Sequence, residues 1–321
     1  MIPLSKPFLP PTSVPYLQEV LQSGRLVGQG PWTQLCTRWL EDMMLEGKAF
    51  LVTSGTTALE MAAMVIDISP GDEVIFPSFT FVSTVNAFIA RGAVPVFVDI
   101  AEKTMNIDVS KIEAAITPRT RAIVPVHYAG ISCMMDEIMD LATIHNLVVI
   151  EDAAQSLTSK YRGKFSGTIG HIGCFSFHET KNFTSGGQGG AVLINQRELV
   201  DRAEVIYDNG TNRVQFLRGE IQQYEWQDVG SNYVLSECLA ALLWSHLELS
   251  DVIQQRRREI WYKYHAQLQE TAVATGAFDV PIVPPGCEIN GHIYCLFFHL
   301  PVLQNLYYTR EADTYVEQIS N

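Results

Sequence analysis

The stretch Leu147-Val-Val-Ile-Glu-Asp-Ala-Ala-Gln155 carries the clearest sign of the fold. Its first four residues form a continuous apolar run of strand length, and Asp152 follows almost at once. Continuous rather than alternating apolarity is typical of a strand in a parallel sheet that is covered on both faces. In such sheets ligands bind beyond the carboxyl ends of the strands, where Asp152 is predicted to lie. The same residue could also be the N-cap of a following helix.

Similar apolar runs recur along the chain and alternate with helical patterns. A helical pattern over residues 134–145, for example, separates two of these runs. Such alternation predicts an α/β core that is built on a mainly parallel sheet covered by helices. The other runs of strand length are residues 73–76, 94–98, 122–126 and 191–194.

The chain is predicted to form two domains. Residues 1–235 contain all of these runs and are expected to form a large domain with an N-terminal segment. Residues 236–321 are predicted to contain a connecting helix and a smaller C-terminal α+β domain. The arginine-rich run at residues 254–259 is interpreted as a solvated face of that helix, with a role in binding nucleotide phosphate as the alternative.

Composition and charge argue against several classes of function. The chain has 321 residues and a formal net charge of -13, so nonspecific binding to nucleic acid is not expected. No apolar stretch approaches the length of a membrane span, and the N-terminus lacks the regions of a secretion signal, which predicts a cytoplasmic protein without membrane contact. The six cysteines are scattered rather than paired, so neither a metal site nor a disulfide framework is expected.

Lys181 is the most informative single residue. It lies in the run Cys174-Phe-Ser-Phe-His-Glu-Thr-Lys-Asn182, ahead of the glycine-rich segment 186–190. A lysine amine and the carboxylate of Asp152 together suggest pyridoxal phosphate, because this cofactor binds a lysine through its aldehyde and needs an acid beside its pyridine nitrogen. A lysine in such a place is by itself more often a solvated surface residue, so the prediction depends on the neighbouring motifs.

The segment Ser54-Gly-Thr-Thr-Ala58 has the form of a loop that opens a helix. An apolar helical pattern follows it. The first backbone N–H groups of a helix have no partner within the helix and favour an anion, and Gly55 would let an anion approach the backbone closely. The alternative is an ordinary capped helix without a ligand.

In their order along the chain, these motifs resemble the DegT/DnrJ/EryC1/StrS sugar aminotransferase family. The resemblance runs from the opening Ile2-Pro-Leu-Ser-Lys-Pro7 to about Phe298. It implies the fold type I architecture of pyridoxal-phosphate-dependent transferases, and an enzyme that uses pyridoxal 5'-phosphate as its cofactor. The motifs that carry the resemblance are Ser54-Gly-Thr-Thr-Ala58, Phe79-Thr-Phe81, Asp152 with Gln155, and Ser176 with Lys181.

The resemblance assigns a role to each predicted cofactor-binding residue. Lys181 would bind the cofactor covalently and carry the proton during catalysis, and Asp152 would hold the proton on the pyridine nitrogen. Phe81 would lie flat against the ring, and Gln155 would donate to the ring hydroxyl. The cofactor phosphate would be bound by Gly55, Thr56, Thr57 and Ser176.

The resemblance also implies a homodimer with shared active sites. Asn232 matches the position at which family members reach across the dimer interface to the partner's cofactor phosphate, although in isolation it reads as a turn asparagine. Candidate substrate-binding residues lie near the predicted cofactor site, and a lone histidine among them is more often structural. These candidates are His127, Tyr128, His178 and Arg213, the last because a guanidinium suits an oxyanion.

The reaction implied by the resemblance is transamination of a nucleotide-linked keto sugar, with L-glutamate as the amino donor. The stretches 125–130, 170–181 and 210–213 are most similar to family members that act on dTDP-4-dehydro-6-deoxy-D-glucose. Amination at C4 of this dTDP-keto sugar would give dTDP-4-amino-4,6-dideoxy-D-galactose. An enzyme that aminates a dTDP-keto sugar at C3 would share these motifs and stays an alternative.

Two further alternatives concern turnover. A pyridoxal-phosphate-dependent sugar dehydratase of the same fold is disfavoured by Lys181, since some relatives of that kind have histidine in its place. A protein that binds cofactor and sugar nucleotide with little turnover is suggested by the C-terminal part, where the resemblance ends past Phe298. Residues 299–306 are similar to the Leu-Pro segment of the family and residues 310–319 to its last helix, so an internal block near 299 is expected to be lacking.

Overall fold

A seven-stranded sheet forms the centre of the protein. The computed structural model describes residues 6–299. Across all sheets, the strands of the described residues are β1 Lys48–Val52, β2 Glu73–Pro77, β3 Val94–Val98, β4 Thr120–Ile123, β5 Val148–Asp152, β6 Lys160–Tyr161, β7 Lys164–Phe165, β8 Ile172–Ser176, β9 Gly190–Ile194, β10 Phe278–Asp279, β11 Cys287–Glu288 and β12 Phe297–Phe298. In the large sheet the order is β1-β9-β8-β5-β4-β2-β3.

The large sheet is mainly parallel, which confirms the predicted α/β class. Six of its seven strands run in one direction, and β9 runs opposite to them. The run predicted at 122–126 is a strand only to Ile123 and then continues toward an isolated bridge between Val126 and Asp152. The sequence pattern did not separate β1 and β8, because short apolar runs cannot be told from helix segments by periodicity alone.

Helices cover both faces of this sheet. Their bounds are α1 Ser13–Ser23, α2 Pro31–Glu41, α3 Gly55–Val65, α4 Val82–Ile89, α5 Met135–His145, α6 Val200–Tyr207, α7 Arg213–Leu217, α8 Glu237–Leu247 and α9 Ser250–Thr275. Successive strand residues point to opposite faces. In β1, Phe50 and Val52 pack with residues of α3, α4 and α6, whereas Ala49 and Leu51 pack with residues of α2 and α8. Both faces of the strand are therefore apolar, which explains the continuous apolar runs.

The amino end of α2 is capped by a residue far away in the sequence. Glu237, the first residue of α8, is only 1% exposed. Its carboxylate accepts hydrogen bonds from the backbone amides of Gly30 (3.1 Å), Trp32 (2.9 Å) and Thr33 (3.1 Å). These are amides that a helix leaves without internal partners at its amino end, so Glu237 ties the N-terminal segment to the rest of the fold.

The C-terminal part of the described chain packs against segments that follow strands of the large sheet. The 26-residue helix α9 begins directly after α8, and the chain then returns through short strands. Strand β11 pairs with β6, and Ile289 packs with Trp261 and Ile131. The predicted boundary between residues 235 and 236 stays a prediction. The segments expected at 299–306 and 310–319, and the block expected to be lacking near 299, involve residues outside the described range.

The described residues contain neither a candidate membrane-spanning helix nor a candidate metal site. Between residues 6 and 299, no helix combines the length and the apolarity needed to cross a bilayer. Over the same residues, no group of three or more histidine, cysteine, aspartate or glutamate side chains is arranged to hold a metal ion.

Candidate active site

The predicted cofactor residues meet at one edge of the sheet. Strands β1, β5 and β8 point in the same direction, and Gly190 at the start of β9 pairs with both Val52 and Ser176. The carboxyl ends of β1 and β8 are therefore side by side around Gly190. Asp152 ends β5, the other neighbour of β8. This is the edge at which open α/β sheets bind their ligands.

Asp152 is the charged side chain at the centre of this edge. It is 5% exposed, and its Oδ2 accepts a hydrogen bond of 2.7 Å from the hydroxyl of Thr84 in α4. Its Oδ1 accepts a hydrogen bond of 3.1 Å from the amide of Ala154. The hydroxyl of Thr80 lies 2.8 Å from that of Thr84 and can donate to it. The carboxylate is thus oriented from two sides before any ligand binds.

Lys181 lies in the loop that follows β8, and its side chain is partly buried. Burial lowers the pKa of its amine, and the negative charge of Asp152 partly opposes this effect. An amine with a lowered pKa is uncharged in a larger fraction of molecules at neutral pH, as a nucleophile and proton acceptor must be. Burial therefore prepares Lys181 for covalent chemistry.

The amino end of α3 lies beside Ser176. The helix is capped by Ser54 and Thr57, whose side chains and backbone amides bind each other at 3.1 and 2.9 Å. The amides of Gly55 and Thr56 have no hydrogen-bond partner within residues 6–299. A Cβ atom at Gly55 would lie 2.8 Å from the Cβ of Ser176. Only glycine therefore keeps the approach between the two open amides and the Ser176 hydroxyl free.

The threonines of this motif divide their hydrogen bonds between the cap and α4. The hydroxyl of Thr57 takes part in the cap of α3, so its contribution to an anion is limited by that bond. The hydroxyl of Thr56 donates to Ser83 in α4 at 2.8 Å. The motif consequently joins α3 to α4, and α4 carries the Thr84 that binds Asp152.

Phe81 is exposed at the beginning of α4. Its side chain is 70% exposed, and it occupies the N-cap position of that helix. A side chain exposed to this extent is not part of the core. Phe79 lies nearby and packs edge-on against Tyr128, with ring centroids 5.0 Å apart. Phe81 is thus an aromatic surface available for a flat ligand.

The segment after β4 contributes Tyr128 and binds Gln155. The side-chain oxygen of Gln155 accepts a hydrogen bond of 2.7 Å from the amide of Ala129, which leaves its amide nitrogen for other partners. Tyr128 is partly buried, and burial raises its pKa. His178 is partly buried too, and its Nδ1 lies 3.0 Å from the hydroxyl of Thr180.

The structure places His127 in a structural network. Its ring is fully buried, with Nδ1 accepting from the amide of Cys133 at 3.0 Å. Nε2 therefore carries the proton and donates to the buried carboxylate of Glu151 at 2.7 Å. Glu151 also accepts from the amides of residues 167, 169 and 170. With both ring nitrogens bonded and no exposed surface, His127 has no side-chain group free for the predicted contact with substrate.

Arg213 and Asn232 belong to a second group beyond α6. Arg213 begins α7 and forms an ion pair of 3.1 Å with the buried carboxylate of Asp208. The backbone of Asp208 forms an isolated bridge with Asn232, whose side chain is exposed. Arg213 is about half exposed at 45%. The structure therefore brings these two predicted residues together through Asp208.

Sequence reasoning missed several residues that orient the site. Thr84 binds Asp152, and the neighbouring sequence motif Phe79-Thr-Phe81 does not include it. Asn182 and His292 are hydrogen-bonded beside Lys181, with Nδ1 of His292 2.7 Å from Oδ1 of Asn182. No local pattern indicates this contact, because the two residues are 110 positions apart.

The assembled residues fit pyridoxal phosphate. Two open amides and a hydroxyl suit its phosphate, and glycine at position 55 leaves room for it. A partly buried amine suits its aldehyde, and the carboxylate of Asp152 suits its pyridine nitrogen. This combination of α/β fold and site defines a pyridoxal-phosphate-dependent transferase.

Comparison with known proteins agrees with this class. The model of the DegT/DnrJ/EryC1/StrS aminotransferase family matches residues 11–281. A GDP-perosamine synthase from Escherichia coli O157:H7 is 38% identical over 260 residues, covering 81% of this chain and 69% of that protein. A UDP-N-acetyl-3-dehydro-alpha-D-glucosamine 3-aminotransferase from Acidithiobacillus ferrooxidans is 41% identical over 280 residues, covering 82% of this chain and 73% of that protein.

Solved structures agree as well. The pyridoxal phosphate form of a putative sugar aminotransferase, Spr1654 from Streptococcus pneumoniae, matches with a TM-score of 0.81 and 26% identity, covering 93% of this chain and 78% of that one. The chain belongs to the DegT/DnrJ/EryC1/StrS aminotransferase family. It is an enzyme, a sugar aminotransferase whose cofactor is pyridoxal 5'-phosphate.

Proposed function

We propose that this enzyme transfers the amino group of L-glutamate to C4 of dTDP-4-dehydro-6-deoxy-D-glucose. The products would be dTDP-4-amino-4,6-dideoxy-D-galactose and 2-oxoglutarate. Action on a sugar nucleotide is supported by the family. The particular sugar is supported by the stretches 125–130, 170–181 and 210–213, which resemble dTDP-4-amino-4,6-dideoxygalactose transaminase.

One observation carries the assignment of the catalytic centre. Lys181 lies in the loop after β8, Asp152 is the last residue of the adjacent parallel strand β5, and Asp152 is the charge that acts on the lysine amine. The open amino end of α3 lies next to Ser176. Ser176 is the last residue of β8, the strand that precedes the Lys181 loop. A covalent amine, an acid and an anion site thus lie within one sheet edge, as pyridoxal phosphate requires.

The residues of this chain would divide the work as follows. When bound, pyridoxal phosphate supplies a conjugated ring that takes up electrons from the carbon that loses its proton. The uncharged amine of Lys181 accepts that proton and later returns one. Asp152, oriented by Thr84, keeps the ring nitrogen protonated by its charge. Phe81 covers one ring face, Gln155 donates to the ring hydroxyl, and the amides of Gly55 and Thr56 with the hydroxyls of Ser176 and Thr57 bind the phosphate.

Substrate contacts are proposed for the residues nearest the open side of the site. Tyr128 and His178 are partly buried and follow β4 and β8, so they can contact the sugar or the donor. Arg213 is half exposed, but it would have to share its guanidinium between Asp208 and a substrate oxyanion. His127 would act only indirectly, by holding the loop after β4 in place.

We further propose a homodimer with two shared active sites. Asn232 is exposed, so its side chain can reach a second chain. Phe81 and Trp226 expose 70% and 73% of their side chains, and such aromatic surface is typical of an interface core. In this arrangement Asn232 donates to the cofactor phosphate bound by the partner.

The function can be tested in two stages. The purified protein with pyridoxal phosphate should be yellow, and its visible band should bleach when glutamate is added. Lys181→Ala should still bind the cofactor noncovalently but lose transamination by on the order of a thousandfold or more, since one group serves as covalent partner and proton carrier. Near-normal turnover by this variant would exclude the assignment of Lys181.

The sugar itself is identified by the product. The enzyme is incubated with glutamate and a set of dTDP-, GDP- and UDP-linked keto sugars, and each product is analysed by mass spectrometry and NMR. We expect the dTDP-linked 4-keto sugar to give the highest kcat/KM, with the new amine on C4. An amine on C3 would replace our proposal by the 3-amino alternative. Binding without turnover of any sugar would favour the cofactor-binding protein with little activity.

A GDP-linked 4-keto sugar is the second candidate acceptor. It is favoured by the 38% identity to a protein named GDP-perosamine synthase. The same set of sugars decides between the two nucleotides, because a preference of tenfold corresponds to about 1.4 kcal/mol in transition-state binding.

A further inference from the structure

Residues 289–292, which we call the strap, join the C-terminal part of the chain to the loop that carries Lys181. Asn290 in the strap is 1% exposed. Its side-chain amide donates to the carbonyls of Gln155 at 2.8 Å and Leu157 at 3.0 Å. Its carbonyl accepts a hydrogen bond of 3.2 Å from the side chain of Asn182. One strap residue therefore connects the segment after Asp152 with the residue that follows Lys181.

His292 makes the second connection. Its amide donates to the side-chain oxygen of Asn290 at 3.0 Å, and its Nδ1 lies 2.7 Å from Oδ1 of Asn182. Because the amide nitrogen of Asn182 already donates to Asn290, its oxygen is the acceptor toward His292. Nδ1 of His292 therefore carries the ring proton, and Nε2 holds a free lone pair.

The ring of His292 lies beside the candidate active site. Within residues 6–299, Nε2 of His292 has no hydrogen-bond partner. The ring lines a narrow cleft together with Gln155, Ser176 and Asn182. Two of these residues, Gln155 and Ser176, are proposed to bind the cofactor. His292 thus belongs to the wall of the site although the sequence places it beyond α9.

The charges around His292 keep its ring neutral. Burial, with the nearby positive charges of Lys181 and of Arg257 in α9, lowers the pKa of His292 to about 3. The hydrogen bond to Asn182 needs the proton on Nδ1, and a neutral ring with that proton leaves Nε2 as an acceptor. Protonation would place a second cation beside the amine of Lys181, on which Asp152 acts as an opposing charge.

We propose that His292 is a positioning residue for Lys181: it holds Asn182 through Nδ1–H and keeps an uncharged acceptor beside the lysine. This inference rests on the proposed role of Lys181. Locking Asn182 from two sides fixes the loop that presents the lysine and excludes water from it. Loss of the lock should let water reach the amine and return its behaviour toward that of an exposed lysine.

The test measures the amine of Lys181 in the apoprotein, independently of activity. Competitive acetylation with acetic anhydride across pH 6 to 11, followed by mass spectrometry of the peptide, gives the pKa of each lysine, and exposed Lys111 is the internal reference. The variants are His292→Phe, which keeps the ring shape without a donor, and His292→Gln, whose amide can still donate. Asn182→Ala removes the acceptor of the same bond and serves as a second route. His265→Phe is the matched control, since His265 is bonded to Tyr294 in the same part of the chain.

The outcomes separate this inference from the proposed function. We expect His292→Phe and Asn182→Ala to raise the pKa of Lys181 by about one unit, a tenfold change in the uncharged fraction, while His292→Gln and His265→Phe leave it near the wild-type value. An unchanged Lys181 pKa in either of the first two variants would overturn the positioning role. Borohydride reduction of the holoenzyme and peptide mapping are done in parallel. Cofactor found on a different lysine would instead overturn the proposed function.

Discussion

The two carboxylate oxygens of Asp152 accept hydrogen bonds from different donors. One oxygen binds the Thr84 hydroxyl and the other the Ala154 amide, so the group is oriented but has no positively charged hydrogen-bond partner among residues 6–299. Its charge therefore remains available to a ligand. In a site of this kind, a carboxylate stabilises the proton on a pyridine nitrogen by charge rather than by geometry alone.

The first prediction at this scale compares two substitutions. Asp152→Asn keeps the shape and the hydrogen bond from Thr84 but removes the charge, so the rate of the glutamate half-reaction should fall by at least about a hundredfold while the protein stays folded. Thr84→Val keeps the charge and loosens its orientation, and should lower the rate by about tenfold or less. Stopped-flow absorbance of the visible band measures both rates. Wild-type rate and spectrum in Asp152→Asn would make Asp152 a structural cap.

The second prediction concerns the glycine at the phosphate end. Gly55→Ala would place a Cβ 2.8 Å from the Cβ of Ser176 and 3.2 Å from its hydroxyl oxygen. We expect the added methyl to obstruct the phosphate and to raise the Kd for pyridoxal phosphate by about tenfold or more. Titration of the apoprotein followed by absorbance measures this constant. Ser83→Ala, which removes the partner of the Thr56 hydroxyl without adding volume, is the control and should change the Kd by less than about threefold.

Residues that lie in a short local motif could be predicted from the sequence. Gly55, Ser176 and Lys181 were predicted from short motifs and from the order of those motifs along the chain. The structure places Gly55 beside Ser176 at the edge of the sheet and Lys181 in the loop after β8, and their roles stay predictions. Thr84 and His292 could not be found in this way. Their partners, Asp152 and Asn182, lie 68 and 110 positions away, and a single threonine or histidine has no pattern of its own.

At the scale of elements, the cap of α2 illustrates what patterns leave out. The helix begins at Pro31, and proline at the start of a helix is an ordinary signal. Gly30 at its N-cap has no side chain to accept the free amides, and the acceptor is supplied by Glu237 in another helix. The position of α2 was therefore predictable only in part, because its docking depends on a contact across 207 positions.

The third prediction tests this cap. Glu237→Ala would leave three backbone amides and the Thr33 hydroxyl without their buried acceptor, so the free energy of unfolding should fall by about 3 kcal/mol or more. Glu248→Ala removes a carboxylate of the same helix region whose bonds to Thr12 and Tyr16 are exposed, and should cost about 1 kcal/mol or less. Urea denaturation at neutral pH measures both. Equal losses in the two variants would mean that burial of Glu237 adds nothing to the cap.

At the scale of the whole molecule, the question is whether one chain builds a complete site. Asp208 joins Asn232 and Arg213, and Val234, two residues after Asn232, forms a bridge with Val52 at the end of β1. The resemblance to the family assigned Asn232 to the partner's cofactor phosphate, and this role stays a prediction. No property of the sequence alone distinguishes such a residue from a turn asparagine, since the interface is formed only by two chains.

The fourth prediction is complementation between two inactive proteins. Lys181→Ala removes the covalent amine, and Asn232→Asp places a negative charge against the phosphate. In a mixed dimer with shared sites, one site carries both substitutions and the other carries neither. Random exchange of equal amounts makes about half of the dimers mixed, so activity should recover to about a quarter of wild type. Glutamate-dependent amination is assayed after co-expression or refolding, with subunit exchange checked by mass spectrometry of tagged chains. No recovery despite exchange would mean that each site is built within one chain.

The pairing of β1 has a consequence for how the protein is made. Strand β1 lies at the edge of the sheet and pairs with β9 alone, so Lys48–Val52 leaves the ribosome long before Gly190–Ile194 does. Capping of the preceding helix, α2, occurs later still, because its cap residue Glu237 is synthesised after β9. In the nascent chain, β1 and α2 therefore lack these partners while the parallel strands assemble. This order favours assistance by a chaperone or a slow final docking step during synthesis.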